Sequence, residues 1–396
     1  MDRARIDTLR EGIHDRSPVA GLTHGFYRYP ARFSPLFARA AIQAFTEPGD
    51  VVLDPFMGGG TTMVEARVAD RFGIGVDISS LSVFVTRAKL NQLCEDDLRV
   101  VSSWFALLVT RLNLHLPTPR DTRWIDYQDN ISSRSTWPIR KLIEMALQEV
   151  PELGNRRQER FARAVILKTA QWALDCRSNV PTADEFRCAM LENLRLMACG
   201  VRALREAMAS KCRISNRQRQ RRTTLLNRSA VGIEEEPRVT RYGPPKLVLT
   251  SPPYPGVHVV YHRWQVLGRR ETPAPFWIAN NLDGAGLAHY TFGDRGRKDM
   301  SPYYEGVGAA FRSIARVANA STCVVQLVAF ADPRKHLPPY LEALQKAGLS
   351  EILIPDLANA ADGRVWRGVP NRKWYARNRG GIAASKEVVL FHRLAR

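Results

Sequence analysis

The sequence is poor in cysteine, with six in 396 residues and no Cys-x-x-Cys pair. That spacing offers neither a disulfide framework nor a zinc ribbon. Cys176, Cys188, Cys199 and Cys212 fall in a polar, helical-looking stretch and read as buried or free thiols of a reducing cytosol, so no metal site is expected. Long hydrophobic runs are also missing. The longest fall far short of the roughly 20 residues of a membrane span. The opening "MDRARIDTLREGIHDRS" has no apolar core of the kind a secretory signal needs. A cytoplasmic protein with no membrane partner is expected. Acids are scarce: 39 Asp plus Glu face 58 Lys plus Arg, for a net charge of +19. That balance suggests a polyanionic partner.

The basic residues are clustered. "KCRISNRQRQRR" contains Arg219, Arg221 and Arg222, and "RVWRGVPNRKWYARNR" contains Arg372 and Lys373 interleaved with Trp366, Trp374 and Tyr375. Cationic groups beside aromatic faces suit nucleic acid.

Strand and helix signals alternate at both ends of the chain. "SPLFARAAIQAF" predicts a helix with Ser34 as N-cap and Pro35 at the first turn. "VVLD", the glycine turn, "TTMVEARVA" and "RFGIGVD" predict strand, turn, helix and strand. Past Tyr304, "GVGAAFRSIARVA", "TCVVQLVAFA", "HLPPYLEALQKAG", "SEILIPD" and "KEVVLFHR" continue the alternation. Between them, helical texture dominates. The expected architecture is α/β, a doubly wound Rossmann-like sheet with a large helical insertion. Residues 1–95 and 237–396 form its two parts, and residues 96–236 form the insertion.

The glycine turn limits the ligand. A P-loop needs a lysine after its last glycine, but Gly60 is followed by Thr61 and Thr62. A dinucleotide fingerprint needs a third glycine where Met63 stands. Asp54 at the strand end disfavours a phosphate and favours a cationic group. Asp77, ending the next strand, suits a ribose diol. Adenosine joined to a cationic amino-acid tail describes S-adenosylmethionine.

"LVLTSPPYPG" stops a strand-like run at a hydroxyl, two prolines and an aromatic ring. Neither Pro252 nor Pro253 can donate to a sheet ladder, so the strand ends in a stiff tip. Ser251 Oγ and the Pro252 carbonyl can each accept a hydrogen bond, and Tyr254 offers a ring for stacking.

"DPFMGGGTT" resembles the cofactor motif of the amino-methylating DNA methyltransferases, "TSPPY" resembles their catalytic tetrad, and "YRYPARF" is similar to their upstream cofactor-wrapping motif. Their order is similar to the family's alpha-type arrangement, with target recognition between the last two. The resemblance implies a methyltransferase sheet. It implies S-adenosylmethionine contacts from Tyr29, Pro30 and Phe33, from Pro55, Phe56, Gly58, Gly60, Thr61 and Thr62 beside Asp54, and from Ile78 beside Asp77. It also implies catalysis by Ser251, Pro252, Pro253 and Tyr254 on an exocyclic amine of double-stranded DNA, its base flipped out. Ser-Pro-Pro-Tyr goes more often with cytosine N4, and Asp-Pro-Pro-Tyr with adenine N6. Methylation at cytosine C5 is disfavoured, because no cysteine here follows a proline.

His258, His262, Arg263 and Arg269 follow the tetrad and are candidates for the base pocket or a phosphate clamp. The expected setting is restriction–modification or phage defence, with any cognate endonuclease a separate chain. An RNA amino-methyltransferase and an inactive nucleic-acid-binding subunit are the alternatives. Neutralising Arg219, Arg221 and Arg222 together should weaken DNA binding about equally across sequences and flatten its salt dependence, measured by titration at several ionic strengths. An unchanged salt slope would make the cluster a linker.

Overall fold

A computed structural model describes residues 2–29, 34–117, 126–210, 222–255, 263–268, 270–280, 292, 299–330, 332–369 and 385–395. Among them, eight strands form one sheet: β1 (Val51–Asp54), β2 (Phe72–Asp77), β3 (Thr223–Asn227), β4 (Leu247–Thr250), β7 (Cys323–Ala329), β8 (Leu349–Ile352), β9 (Val365–Val369) and β10 (Ser385–Leu394). A hairpin of β5 (Trp264–Val266) and β6 (Arg270–Thr272) stands apart.

The strand order is β3-β2-β1-β4-β7-β10-β8, with β9 also paired to β10. Neighbours are parallel from β3 to β7, whereas β10 runs antiparallel to β7, β8 and β9. The chain builds outward from β1 in one direction and from β4 in the other. β1 and β4 therefore flank the point where strand order reverses, and the crevice beyond their carboxyl ends is where such sheets bind ligands.

Side chains of successive strand residues point to opposite faces. Val52, Leu247, Leu249, Val325, Val389 and Phe391 share a core with α1 (Arg3–His14) and α2 (Pro35–Phe45). On the other face, Val51, Leu53, Val248, Val324 and Val388 share a core with two later helices, Ser301–Val317 and Pro333–Lys346. Ser34 caps α2 as its sequence predicts, accepting from the Leu36 amide, with Pro35 opening the helix. α3 (Thr61–Val68) and α4 (Ser80–Lys89) follow β1 and β2.

Four longer helices, α5 (Glu95–Arg111), α6 (Trp137–Glu149), α7 (Arg156–Leu174) and α8 (Ala183–Ala209), make up the helical insertion. Their apolar faces do not close on themselves alone. The same core takes in Tyr27 and Tyr29 from before α2, Trp264 and Val266 from the hairpin, and Phe276 to Ala279 beyond it. One boundary differs from the expectation. β3 pairs in parallel with β2 and is the edge of the main sheet, so the span 96–236 contains a sheet strand. "TTLLN" is short, and only Thr224 and Leu226 in it are buried, so its apolar signal is weak.

α8 passes close to the chain before the wrap segment. A Cβ added at Gly200 would lie 2.4 Å from the Leu22 carbonyl oxygen, a backbone atom that cannot swing aside. Gly200→Ala should therefore lower unfolding stability by about 1–3 kcal/mol in urea titration, although alanine is the better helix former. A stabilised variant would show that this contact is slack.

Candidate active site

The site starts at Asp54. Its side chain is 2% exposed and accepts three hydrogen bonds: from Thr62 Oγ1 at 2.6 Å, from Thr250 Oγ1 at 2.8 Å and from the Phe56 amide at 3.2 Å. Thr62 lies in the first turn of α3 and Thr250 ends β4. The carboxyl thus fastens the glycine turn to the strand that carries the Ser-Pro-Pro-Tyr tip. This corrects the expectation that Asp54 faces a cationic ligand: its acceptor sites are turned inward and occupied. Desolvation pushes its pKa up to about 7 despite the three donors.

Asp77 ends β2 beside it. It accepts from the Gly58 and Ser79 amides, each at 2.8 Å, and so fixes the start of the glycine turn. Its side chain is only partly buried, and desolvation raises its pKa to about 6. Ile78, the next residue, is also half-buried.

Gly58 and Gly60 have φ values of +46° and +74°. The conformation and the close packing both require glycine. A Cβ at Gly60 would stand 2.4 Å from Thr86 Oγ1, and a Cβ at Gly58 would stand 3.1 Å from the Tyr29 ring. Tyr29 lies over the turn, with its hydroxyl 2.7 Å from Ser82 Oγ. Lys89, wholly buried on α4, donates to the Gly59 carbonyl at 2.5 Å. Pro55 is buried, and the Phe56 ring meets Phe292 and Phe311. Among the described residues, Thr61 Oγ1, Ser79 Oγ and Thr86 Oγ1 are buried around this turn without a hydrogen-bond partner. Such orphaned hydroxyls are costly unless something polar meets them, so the turn fits a ligand with several hydrogen-bonding groups.

At the tip, Ser251 is half-buried and its Oγ lies 2.8 Å from Tyr254 Oη. Pro252 is buried, and the Pro253 carbonyl accepts from Tyr303 Oη at 2.6 Å. Tyr254 departs from the expected open stacking face. Its ring is 6% exposed within the core, and its hydroxyl donates to Glu387 Oε1 at 3.0 Å.

The end of α7 joins the two halves of the site. Gln171 accepts from the Arg28 amide at 2.9 Å and donates to the Arg28 carbonyl at 3.0 Å, as a neighbouring strand would. Asp175 pairs with the Arg28 guanidinium at 2.8 Å and accepts from the Gln265 amide at 3.2 Å. Trp264 Nε1 donates to Tyr27 Oη at 2.9 Å.

Arg222 does not serve as expected. Its guanidinium pairs with Asp70 and lies 4.9 Å over the Phe72 ring, so it is committed to fastening the edge of the sheet rather than free for phosphate. Arg263, just before β5, is half-buried. Pro30, Phe33, Arg219, Arg221, His258, His262, Arg269, Arg372 and Lys373 lie outside the described residues. The sequence reading did not single out Thr250, Lys89, Gln171, Asp175 or Glu387. The one visible hint was an acid inside the apolar run "KEVVLF".

A doubly wound sheet with a glycine turn and a proline-stiffened tip at its reversal point defines an α/β ligand-binding class. Residues 11–83 match the profile of the N6/N4 DNA methylase family. That match takes in the glycine turn and β2. Over 69 residues the chain is 33% identical to the type II methyltransferase M.MjaII of Methanocaldococcus jannaschii, covering 17% of this chain and 13% of that protein. Over 99 residues it is 32% identical to the type II methyltransferase M.MvaI of Kocuria varians, covering 22% of each. The chain thus spans less than a quarter of the length of these relatives. A solved rRNA methyltransferase, aviRa from Streptomyces viridochromogenes, aligns over 99% of this chain and 93% of its own at 11% identity, with a TM-score of 0.34.

The pKa values of Asp54 and Asp77 have a consequence for stability. Both carboxyls hold their proton more tightly folded than unfolded, where 3.8 is usual. Their contribution to stability is therefore full below about pH 4 and declines as the pH rises to about 7. For Asp54 the decline amounts to something on the order of 4 kcal/mol. Asp54→Asn keeps a side chain that can bond both threonines and removes the ionisation. Its melting temperature relative to wild type should rise between pH 4.5 and 7.5. A constant difference would mean that Asp54 has an ordinary pKa.

Proposed function

We propose that the protein is a DNA amino-methyltransferase that moves a methyl group from S-adenosylmethionine to an exocyclic amine. The observation that carries this reading is the Asp54–Thr250 bond, which holds a family-type glycine turn and a Ser-Pro-Pro-Tyr tip side by side at one sheet end. The orphaned hydroxyls of Thr61, Ser79 and Thr86 and the partly open carboxylate of Asp77 fit the cofactor's polar groups. When bound, the cofactor supplies an electrophilic methyl group.

The chain's own part is positioning. A base amine is a poor nucleophile because its lone pair is delocalised into the ring. Ser251 Oγ and the Pro252 carbonyl accept from its two N–H bonds and favour a tetrahedral nitrogen, held in line for transfer. Extrusion of the base from the duplex exposes the amine. The tetrad's serine favours cytosine N4, with adenine N6 the runner-up. A restriction–modification or phage-defence setting, with any endonuclease a separate chain, completes the proposal.

Tritiated methyl transfer to DNA, followed by nucleoside mass spectrometry, tests it. Label in N4-methylcytosine supports the reading, and label in N6-methyladenine moves the base assignment. An absence of label in any DNA amine, with cofactor bound, overturns it. Ser251→Ala should lower kcat by about a hundredfold or more while calorimetric cofactor affinity stays near wild type, as for an interaction made in the transition state. Asp77→Ala should do the reverse and weaken cofactor binding first.

A further inference from the structure

Behind the tip lies a chain of hydrogen bonds that the proposed reaction does not by itself require. Ser251 Oγ meets Tyr254 Oη at 2.8 Å, and Tyr254 Oη meets Glu387 Oε1 at 3.0 Å. Glu387 Oε2 receives Arg367 Nε and Nη2, each at 3.0 Å. Glu387 and Arg367 are register partners on β10 and β9, so the pairing is built into the sheet. Glu387 is fully buried, and the Arg367 side chain is only 10% exposed. Arg367 is fixed in turn by a 3.1 Å bond from Nη1 to the Ile13 carbonyl.

The polarity of this chain follows from its ends. A guanidinium only donates, and the carboxylate it pairs with only accepts. Tyr254 must therefore spend its single proton on Glu387. Its oxygen is left to accept, so Ser251 spends its own proton on Tyr254. What remains on Ser251 Oγ is lone pairs.

We propose that Glu387, held by Arg367, is a positioning residue that orients the Tyr254 and Ser251 hydroxyls so that Ser251 Oγ can only accept from the target amine. A serine is thereby given the acceptor character that an aspartate has intrinsically. The proposal rests on the amino-methyltransferase reading for its consequence, but not for the proton order itself.

Glu387→Gln changes little in shape and removes the constraint. Its amide can donate to Tyr254 Oη, which can then donate to Ser251 and turn the serine proton towards the amine. In the wild-type background it should lower kcat about tenfold or more, with KM for cofactor nearly unchanged. In a Ser251→Asp background, where the tip accepts whatever Tyr254 does, the same substitution should cost less than about threefold. In a Tyr254→Phe background, where the chain is already cut, it should also cost little. Equal losses in all three backgrounds would make Glu387 a support of the fold and overturn the proposal.

A neutron crystal structure of the deuterated protein reads the proton order without any substrate. Deuterium on Tyr254 Oη should point to Glu387, and deuterium on Ser251 Oγ should point to Tyr254. Deuterium on Ser251 pointing away from the ring overturns the proposal. If wild type transfers no methyl group, the functional reading fails, while the neutron result still decides the proton order.

Discussion

The bond network of one buried acid underlies the site. Asp54 ends the strand from which the sheet is built outward, and its two oxygens reach Thr62 on α3 and Thr250 on β4. A carboxyl so desolvated is costly to ionise, and its pKa near 7 reflects that cost. The three donors offset part of it. In return, two pieces of chain far apart in sequence are held in a fixed relation: the turn that offers orphaned hydroxyls and the tip that offers acceptors. The transfer proposed above depends on alignment of two bound groups, which a fixed relation between turn and tip provides.

The helical insertion has a second role that its position in the sequence does not reveal. Its core includes the tyrosines of the wrap segment and the tryptophans around the hairpin after the tip. Gln171 grips the backbone of Arg28, while Asp175 reaches both Arg28 and Gln265. The two flanks of the crevice are thus mounted on one helix end. The insertion thereby sets how far apart those flanks stand.

Much of this was legible in the sequence, for local reasons. "VVLD" and "RFGIGVD" are short, largely apolar runs that end in acids, and both form strands where expected. Ser34 and Pro35 start a helix as a capping pair should. What was not legible depends on partners distant in the chain. An acid at a strand end looks alike whether it faces solvent or core, and Thr250, which decides the matter for Asp54, is 196 residues away. Arg222 reads as part of a basic run until Asp70 is seen beside it. Tyr254 reads as a stacking ring until Glu387, 133 residues on, takes its hydroxyl.

The placement of β10 carries a consequence for how the molecule comes into being. This strand enters between β7 and β8 and runs against both. A chain emerging from the ribosome presents the glycine turn early and the tip later, but the acceptor for Tyr254 arrives only with β10. Until then one edge of β7 has no neighbour, and the phenol has no carboxylate to fix its proton. The bond from Thr250 to Asp54 can form before β10 arrives, whereas the ordered hydroxyls of the tip wait for a late strand insertion. A folding intermediate that lacked that insertion would keep turn and tip together and leave the proton order of the tip unset.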